Sequence, residues 1–281
     1  MLPPTPAVQR IPYSAPRADF ISALEKDGCV VVQNFTDLDT LAQAKREVQP
    51  YLDAEDKASK VGALEGRTKT CTRLIGRSTT DLVEHFLTLR TQCWYGNEPA
   101  INVSNPLLSI AITMDIQPGT PAQRLHRDDK NHHARHAPVD AYHPNRDMLL
   151  GLFVPGCDTY RENGATRVIP GSHLWGDGQP DFGPDGTKGV VDACLNAGDA
   201  FIMLGSLYHG GGEYSQKDGS RTMHIMFCCS GVYRQEEISF LSYPIEDVKT
   251  YPQVVKDRLG WKQSEPNLGW VDLQSPEYLL E

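Results

Sequence analysis

The decapeptide from Leu107 to Ile116, LLSIAITMDI, alternates large apolar side chains with small or polar ones. Successive side chains of a β-strand point to opposite faces of a sheet, so this alternation predicts a strand with one buried face. That face is predicted to consist of Leu108, Ile110, Ile112, Met114 and Ile116. The turn residues Gln117-Pro-Gly-Thr120 follow, and the polar hexapeptide Arg124–Asp129, RLHRDD, comes next. We therefore expect a rigid sheet to lead into a loop that carries ionisable side chains.

Two residues of that hexapeptide, His126 and Asp128, are separated by a single position. In an extended segment they point to the same side, while Arg127 points away. Another histidine, His209, stands 81 positions after Asp128. Two imidazoles and one carboxylate on one face of a metal ion leave the other face open, which is the ligand set of non-haem Fe(II) oxygenases. His126, Asp128 and His209 are therefore the candidate metal ligands.

The rest of the chain contains more short apolar segments than helical patterns. Helical spacing is clearest at 17–27, at 81–91 and in a segment that begins at Thr36 or Asp37. A C-terminal tail, from Pro244 onward, also contains helical spacing. Short strands separated by turns are predicted at 29–35, 147–154, 200–204 and 221–229. Many short strands with few helices among them favour an antiparallel sandwich or jelly roll.

Composition narrows the class of protein. With 281 residues, of which 40% are hydrophobic, the chain suits one large domain or two small ones. The formal charge of -9 argues against a general role in binding nucleic acid. Apolar runs all fall short of the roughly 20 residues that span a bilayer, and the first residues lack the pattern of a secretory signal. We expect a cytoplasmic protein whose seven cysteines, none in a C-x-x-C pair, stay reduced.

Three motifs together resemble the phytanoyl-CoA dioxygenase family of Fe(II)/2-oxoglutarate-dependent oxygenases. His126-Arg-Asp128 with His209 is similar to the metal triad of the family. The segment Asn163–His173, NGATRVIPGSH, resembles its N-G-A-x-x-x-x-P-G-S-H signature, and Arg221 follows His209 by twelve positions, as its 2-oxoglutarate anchor does. The resemblance covers roughly residues 17–235. It implies a mainly β fold with flanking helices, namely a double-stranded β-helix (a cupin-like jelly-roll barrel) with helices packed outside.

The resemblance also implies the cofactors and the residues that bind them. Fe(II) is expected at the triad, with 2-oxoglutarate as co-substrate, O2 as oxidant and ascorbate as the reductant in vitro. Gln123 and Thr166 match further co-substrate contacts of fungal members. Arg73 is a weaker candidate for another such contact, because Arg67 and Arg77 compete with it. Relatives that halogenate lack the carboxylate, so the presence of Asp128 argues against halogenation.

The fungal members that this chain most resembles tailor terpenoids, meroterpenoids and indole alkaloids. The expected reaction is therefore hydrogen abstraction from a lipophilic secondary metabolite, which leads to hydroxylation, desaturation, rearrangement or an endoperoxide, with succinate and CO2 formed. The resemblance further implies one domain over 1–281, with an extended segment at 1–16 and a tail at about 240–281. Homodimers are usual in these relatives, and the tail is the predicted dimer contact.

Three alternatives remain open from the sequence. An acyl-CoA α-hydroxylase would need a basic patch for the CoA phosphates, and Arg67, Lys69, Arg73 and Arg77 form the one small basic cluster. A non-catalytic jelly-roll protein with a structural metal would need a closed ligand set that often contains cysteine, and no cysteine adjoins His126 or His209. A zinc hydrolase is the third alternative. The predicted walls of the substrate pocket are 73–81, 130–146 and part of the tail.

The remaining histidines need no metal. We expect His173 to pack or form hydrogen bonds in its turn, and His224 to be a hydrogen-bonded residue of a sheet. Three further histidines, at 132, 133 and 136, are expected to be solvated in a polar insert. Gly210, Gly211 and Gly212 either allow a close approach of the backbone beside the metal or form a turn.

Overall fold

A computed structural model describes residues 7–54, 61–65 and 79–281. Its strands are β1 (Arg10–Pro12), β2 (Cys29–Gln33), β3 (Val61–Glu65), β4 (Leu89–Tyr95), β5 (Glu98–Ser104), β6 (Leu107–Ile116), β7 (Leu149–Pro155), β8 (Thr166–Val168), β9 (Val191–Ala193), β10 (Ala200–Leu204), β11 (His209–Gly211) and β12 (Arg221–Cys229). Its helices are α1 (Arg17–Asp27), α2 (Leu38–Ala54), α3 (Thr79–Leu87), α4 (Ser239–Ser242), α5 (Ile245–Lys249) and α6 (Gln253–Leu259). Short 3-10 helices span Asp128–His132, Ser172–Leu174 and Pro276–Leu280.

The strands form one large sheet and two small ones. The large sheet has seven strands in the order β1-β2-β10-β7-β12-β6-β3, and all neighbours pair antiparallel except β1 with β2. A three-stranded sheet has the order β11-β8-β9, and β4 pairs with β5 in a hairpin. Because strands that are neighbours in the large sheet are distant in sequence, long connections bring residues from many segments to one face.

The central strands of the large sheet, β2, β10, β7, β12 and β6, are buried on both faces, and their residues are divided between two different cores. Along β7, Leu149 and Phe153 belong to the core shared with the small sheet, while Leu150, Leu152 and Val154 face the helices. Along β12, Met223, Ile225 and Phe227 face the small sheet and Met226 faces the helices. Two-sided burial explains why these segments are nearly continuous apolar runs.

A β-bulge changes the face of one predicted residue in β6. The register between β12 and β6 shifts at Phe227, which pairs with Ile110, whereas the next residue of β12, Cys228, pairs with Leu108. Ser109 is the extra residue, and it is fully buried. The bulge reverses the alternation, so Leu108 faces the helices while Ile110 faces the small sheet. The predicted strand is confirmed, but the assignment of Leu108 to its inner face was wrong.

The helices pack on the outer face of the large sheet, as predicted. Phe20 and Leu24 of α1 are buried there, and Gly28 ends the helix with a left-handed φ of 74°. The tail supplies Val248 and Leu259 to the same core. None of the described helices is long and apolar enough to cross a membrane. Six cysteines lie in the described ranges, and all of them are free thiols.

One predicted helix ends earlier than expected. The helix predicted over 81–91 is α3, which ends at Leu87, and the chain then enters β4. The hairpin of β4 and β5 turns at Gly96, whose φ is 64°. A tight turn with a positive φ stabilises two paired strands, and this pairing outweighs the local helical spacing of 88–91.

Candidate active site

A backbone bridge brings His126 and His209 together. The His126 N–H donates to the His209 carbonyl oxygen at 2.8 Å, and the His209 N–H donates to the His126 carbonyl oxygen at 2.9 Å. Two residues that exchange both backbone hydrogen bonds lie opposite each other and project their side chains to the same face. The ring centroids are accordingly 4.5 Å apart. The bridge thus joins two residues that are 83 positions apart in the sequence.

Asp128 completes the cluster. Its Oδ1 lies 3.4 Å from His126 Nε2, and its Oδ2 lies 3.3 Å from His209 Nε2. The three candidate ligand atoms lie within 4.8 Å of one another, and no fourth histidine, cysteine, aspartate or glutamate of the described ranges joins them. Arg127 has the extended conformation expected of it, with φ -125° and ψ 129°. The predicted cluster therefore exists and keeps an open side.

The ring orientations suit metal binding. His126 Nδ1 lies 2.8 Å from the Arg124 carbonyl oxygen, and His209 Nδ1 lies 3.1 Å from the Leu207 carbonyl oxygen. A carbonyl oxygen only accepts, so both Nδ1 atoms carry the proton and both Nε2 atoms face Asp128. Such outer hydrogen bonds orient metal-binding histidines. The donor set, two Nε2 atoms and a carboxylate, fits a divalent iron ion.

The electrostatics of the three groups are coupled. Burial acts to raise the pKa of Asp128, but hydrogen bonds from His126 and His209 outweigh it and hold that pKa well below its usual range. The hydrogen bond with Asp128 in turn raises the pKa of His126. The carboxylate is thus ionised at neutral pH and attracts a cation between the rings. A metal ion can take the place of a proton at this position.

A buried ion-pair network holds the loop that carries His126 and Asp128. Arg127 donates to Asp129 Oδ2 at 2.8 Å, and His136 Nε2 lies 2.7 Å from the same oxygen. The side chains of Arg127 and Asp129 are each 1% exposed, and the guanidinium lies over the Tyr208 ring. His136 was expected to be solvated, and that expectation was wrong because Asp129 holds its ring in the interior. His133 is exposed, as predicted.

A cavity of about 250 Å³ opens beside the three side chains. Most of its wall is apolar and comes from β6, β7 and β12, with Ile110, Ile112, Met114, Phe153, Met223, Ile225 and Phe227. Apolar walls exclude water and strengthen electrostatic interactions inside. The chain thus places its ionisable cluster at the wall of an apolar chamber between the two sheets.

Arg221 lies at the start of β12 and lines the same cavity. It is 4% exposed, and its Nε donates to the Asn163 carbonyl oxygen at 2.9 Å. No carboxylate in the described part of the chain forms an ion pair with it. Burial lowers the pKa of Arg221 to about 10, so the guanidinium is still charged at neutral pH. A buried cation without an acidic partner, held by one nitrogen, suits an anionic ligand.

Thr166 and Gln123, the other predicted co-substrate residues, also line the cavity. Thr166 begins β8 and pairs with Gly211 of β11. Gln123 Oε1 accepts a hydrogen bond from the Gly211 N–H at 2.7 Å. Arg73, with Arg67 and Arg77, lies outside the described residues, as does most of the predicted wall at 73–81.

Glycine is required at the end of β11. A Cβ on Gly212 would lie 2.6 Å from the Ala165 carbonyl oxygen, and a Cβ on Gly210 would lie 3.1 Å from the Arg124 carbonyl oxygen. Both contacts are with backbone, which cannot move aside as a side chain would. Of the two roles considered from the sequence, a close approach of the backbone beside the cluster is confirmed.

Two histidines outside the cluster have the roles that were predicted. His173 is fully buried, and its Nε2 lies 3.0 Å from the Glu25 carbonyl oxygen. His224 lies on the outer face of β12, with Nδ1 2.9 Å from Thr113 Oγ1. Burial lowers the pKa of each to about 4, so both are neutral at pH 7.

Sequence reasoning missed two polar residues of the cavity, Asn131 and Glu236. Asn131 belongs to the predicted wall at 130–146, but its type alone does not distinguish it there. Glu236 follows β12 in the run Arg234-Gln-Glu-Glu237, where adjacent acids give no periodic signal. The contact of this run with the bulge in β6 directs Glu236 to the cavity, and a bulge cannot be located from alternation alone.

Two sheets that enclose a two-histidine, one-carboxylate cluster with an open side define a class of protein, the non-haem Fe(II) oxygenases. The phytanoyl-CoA dioxygenase (PhyH) family model matches residues 24–223, which is more than half of the chain. The chain belongs to this family, and the predicted enzyme class is confirmed. A similar protein is dioxygenase himG of Aspergillus japonicus, 34% identical over 92% of this chain and 85% of that protein. Another is dioxygenase swnH1 of Arthroderma benhamiae, 32% identical over 97% of this chain and 92% of that protein.

A solved structure extends the likeness to the fold. HygX from Streptomyces hygroscopicus, crystallised with nickel and 2-oxoglutarate, superposes with a TM-score of 0.60 over 79% of this chain and 90% of that chain. Sequence identity is only 12%, so this likeness concerns the fold alone. It confirms the mainly β jelly-roll class predicted from the sequence.

Proposed function

We propose that this dioxygenase oxidises a lipophilic secondary metabolite, a terpenoid, meroterpenoid or alkaloid, by abstracting a hydrogen atom from it. One observation carries the proposal. The cluster of His126, Asp128 and His209 and the buried guanidinium of Arg221 line the same apolar cavity. A metal and a dicarboxylate would thus meet in a chamber whose remaining walls suit an apolar molecule.

The proposed metal ligands are His126 and His209 through Nε2 and Asp128 through its carboxylate. The Nδ1 hydrogen bonds to the Arg124 and Leu207 carbonyls support this assignment, because they leave both Nε2 lone pairs free for a metal. Asp129 and Arg127 would hold the loop rigid around Asp128. The missing fourth protein ligand among the described residues supports a catalytic site over a structural one.

We propose that Arg221 binds the distal carboxylate of 2-oxoglutarate. Its Nε donates to the Asn163 carbonyl oxygen, and this hydrogen bond orients the planar guanidinium. The two terminal nitrogens are then available for a bidentate pair with a carboxylate. Thr166 would add a hydroxyl donor. Gln123 would act near the metal-bound end, with its carbonyl already fixed by Gly211 and its amide nitrogen available.

Bound iron would supply, with O2 and 2-oxoglutarate, the oxidant for hydrogen abstraction. O2 oxidises 2-oxoglutarate to succinate and CO2, and one of its oxygen atoms enters succinate while the other oxidises the substrate. The residues of the chain then select what is oxidised. Ile110, Ile112 and Phe227 exclude water and pack against the substrate. How they hold the substrate radical selects among hydroxylation, desaturation, rearrangement and endoperoxide formation.

The test compares two metals in the same protein. With Fe(II) and ascorbate, the protein is expected to bind 2-oxoglutarate and form succinate, while the Zn(II)-loaded protein is expected to form none. A lipophilic substrate should raise the rate of succinate formation above its uncoupled level. Absence of both 2-oxoglutarate binding and succinate from the iron-loaded protein would contradict the proposal, and hydrolysis by the zinc form would favour a zinc hydrolase.

We also propose that the chain forms a homodimer through its C-terminal tail. Three large apolar side chains of the tail are exposed, Leu268 by 47%, Trp270 by 40% and Leu273 by 80%. Apolar side chains clustered along one segment favour a protein partner. Size-exclusion chromatography with light scattering is expected to give twice the chain mass of 31.2 kDa. A monomeric mass at micromolar concentration would contradict this.

A further inference from the structure

The cavity contains a carboxylate at the end away from Arg221. Glu236 lines it, and the β6 bulge holds Glu236 in place. Ser109 Oγ, on the extra residue, accepts from the Glu236 N–H at 3.2 Å and lies 3.4 Å from its Oε1. The Ser109 carbonyl oxygen accepts a hydrogen bond from the Glu237 N–H at 2.9 Å. The bulge pairs with Phe227, six residues along β12 from Arg221, so about 20 Å separates the two ends of the chamber.

This carboxylate has no cationic partner within the described ranges. Its neighbours Ser109 and Asn131 are neutral, and no lysine or arginine side chain there lies within ion-pair distance. The nearby His132 ring is held by its Nε2–H, which donates to the Arg234 carbonyl oxygen at 2.9 Å. Burial and the negative charge of Asp128 raise the pKa of Glu236. Glu236 is an exposed residue that also lines the cavity. A substrate that fills the cavity would displace water from its carboxylate, and a carboxylate that loses water favours a cationic partner.

The charges of the loaded site leave this carboxylate uncompensated. On the proposed function, the two positive charges of Fe(II) and the one of Arg221 equal the negative charges of Asp128 and 2-oxoglutarate. Glu236 is the one other ionisable group among the described residues that line the cavity. The loaded site is therefore neutral except for this side chain, which faces the space left for the substrate.

We propose that Glu236 binds a basic nitrogen of the substrate, so that the substrate is a lipophilic amine. The proposal rests on the proposed function and narrows its substrate class. An ammonium group would pair with the carboxylate while the apolar skeleton packs against Ile110 and Phe227. This contact fixes one end of the molecule and so determines which C–H bond faces the metal. Asn131 would act as a positioning residue that orients the carboxylate.

The experiment uses a matched pair of probes on the anaerobic Fe(II)–2-oxoglutarate complex. Cyclohexylmethylamine carries the cation, and cyclohexylmethanol has the same skeleton without it. Binding is followed by the change in the charge-transfer absorption of the complex. The amine is expected to bind about tenfold more tightly than the alcohol. This ratio corresponds to the lower end of the free energy that a hydrogen bond to a charged group contributes. In Glu236→Gln, this preference for the amine is expected to disappear while affinity for the alcohol stays the same.

The control variant is Glu246→Gln, which removes the same charge from an exposed position on α5 outside the cavity. It is expected to keep the preference for the amine. Equal affinity for both probes in the unchanged protein, binding of neither probe, or an unaltered preference in Glu236→Gln would overturn the proposal. Affinity for 2-oxoglutarate is measured in each variant, and its absence from the unchanged protein would instead mark failure of the proposed function.

Discussion

The substitution Arg221→Lys tests the co-substrate half of the site. Arg221 uses Nε to hold the Asn163 carbonyl oxygen at 2.9 Å and keeps its terminal nitrogens for the cavity. A lysine has one nitrogen and cannot do both. The substitution preserves the charge, so any effect comes from the geometry of the donors.

The size of the effect follows from the bonds that are lost. Removal of one of two charge-assisted hydrogen bonds to a carboxylate costs about 2 kcal/mol in a buried site, which corresponds to about 30-fold weaker binding of 2-oxoglutarate. Loss of the bond to Asn163 orphans a backbone carbonyl in the free protein. The free energy of unfolding is therefore expected to fall by about 1 kcal/mol as well.

Anaerobic calorimetric titration of the iron-loaded protein with 2-oxoglutarate measures the first effect, and urea unfolding measures the second. Arg10→Lys is the control, because Arg10 pairs with Asp199 outside the cavity. It should leave the affinity for 2-oxoglutarate unchanged. If Arg221→Lys binds 2-oxoglutarate as tightly as the unchanged protein, the assignment of Arg221 as its anchor is refuted.

Three further substitutions test the metal, the packing and the pH response. Asp128→Ala should lower bound iron from about one per chain to near zero and abolish succinate formation; elemental analysis checks this, and full turnover would contradict it. Gly212→Ala should lower the free energy of unfolding by about 1–3 kcal/mol because its Cβ would lie 2.6 Å from a backbone oxygen, whereas Gly178→Ala meets nothing within 4 Å and serves as control. Burial lowers the pKa of His224 to about 4, from about 6.5 when unfolded, so the unfolded chain binds the extra proton in this window and stability falls as pH drops from 6.5 to 4. Between pH 6.5 and pH 4, the free energy of unfolding of His224→Gln should fall by less than that of the unchanged protein, by up to about 3 kcal/mol. Urea unfolding measures this difference, and identical pH profiles of the two proteins would argue against a neutral buried ring.

Much of the fold could be predicted because its signals are local. The alternation in 107–116 predicted β6 with its observed bounds, and Gly28 marked the end of α1. The helix predicted over 81–91 failed at its C-terminal end, because the pairing of β4 with β5 depends on residues after it in the chain. The two faces of β6 were also assigned incorrectly at Leu108, since a bulge leaves the composition of a strand unchanged.

The candidate site divides in a similar way. The spacing of His126 and Asp128 sufficed to place both side chains on one side, and the position of Arg221 at the start of a strand was visible in the pattern. The interior position of His136 was not, because its partner Asp129 looks like one more polar residue of a loop. The position of Glu236 was also missed, because the residue that holds it, Ser109, belongs to β6 and is distant in the sequence.

The sequence by itself determined the chemistry available to this protein, because ligand types, their two-residue spacing and the period of the strands are properties of neighbouring residues. Only the tertiary structure decided which groups meet. A backbone bridge between His126 and His209, 83 positions apart, brings His209 to Asp128, and Glu236 reaches the cavity through the bulge at Ser109. Such contacts depend on the register between strands that are distant in the chain, and a shift of one residue in that register turns every side chain to the opposite face.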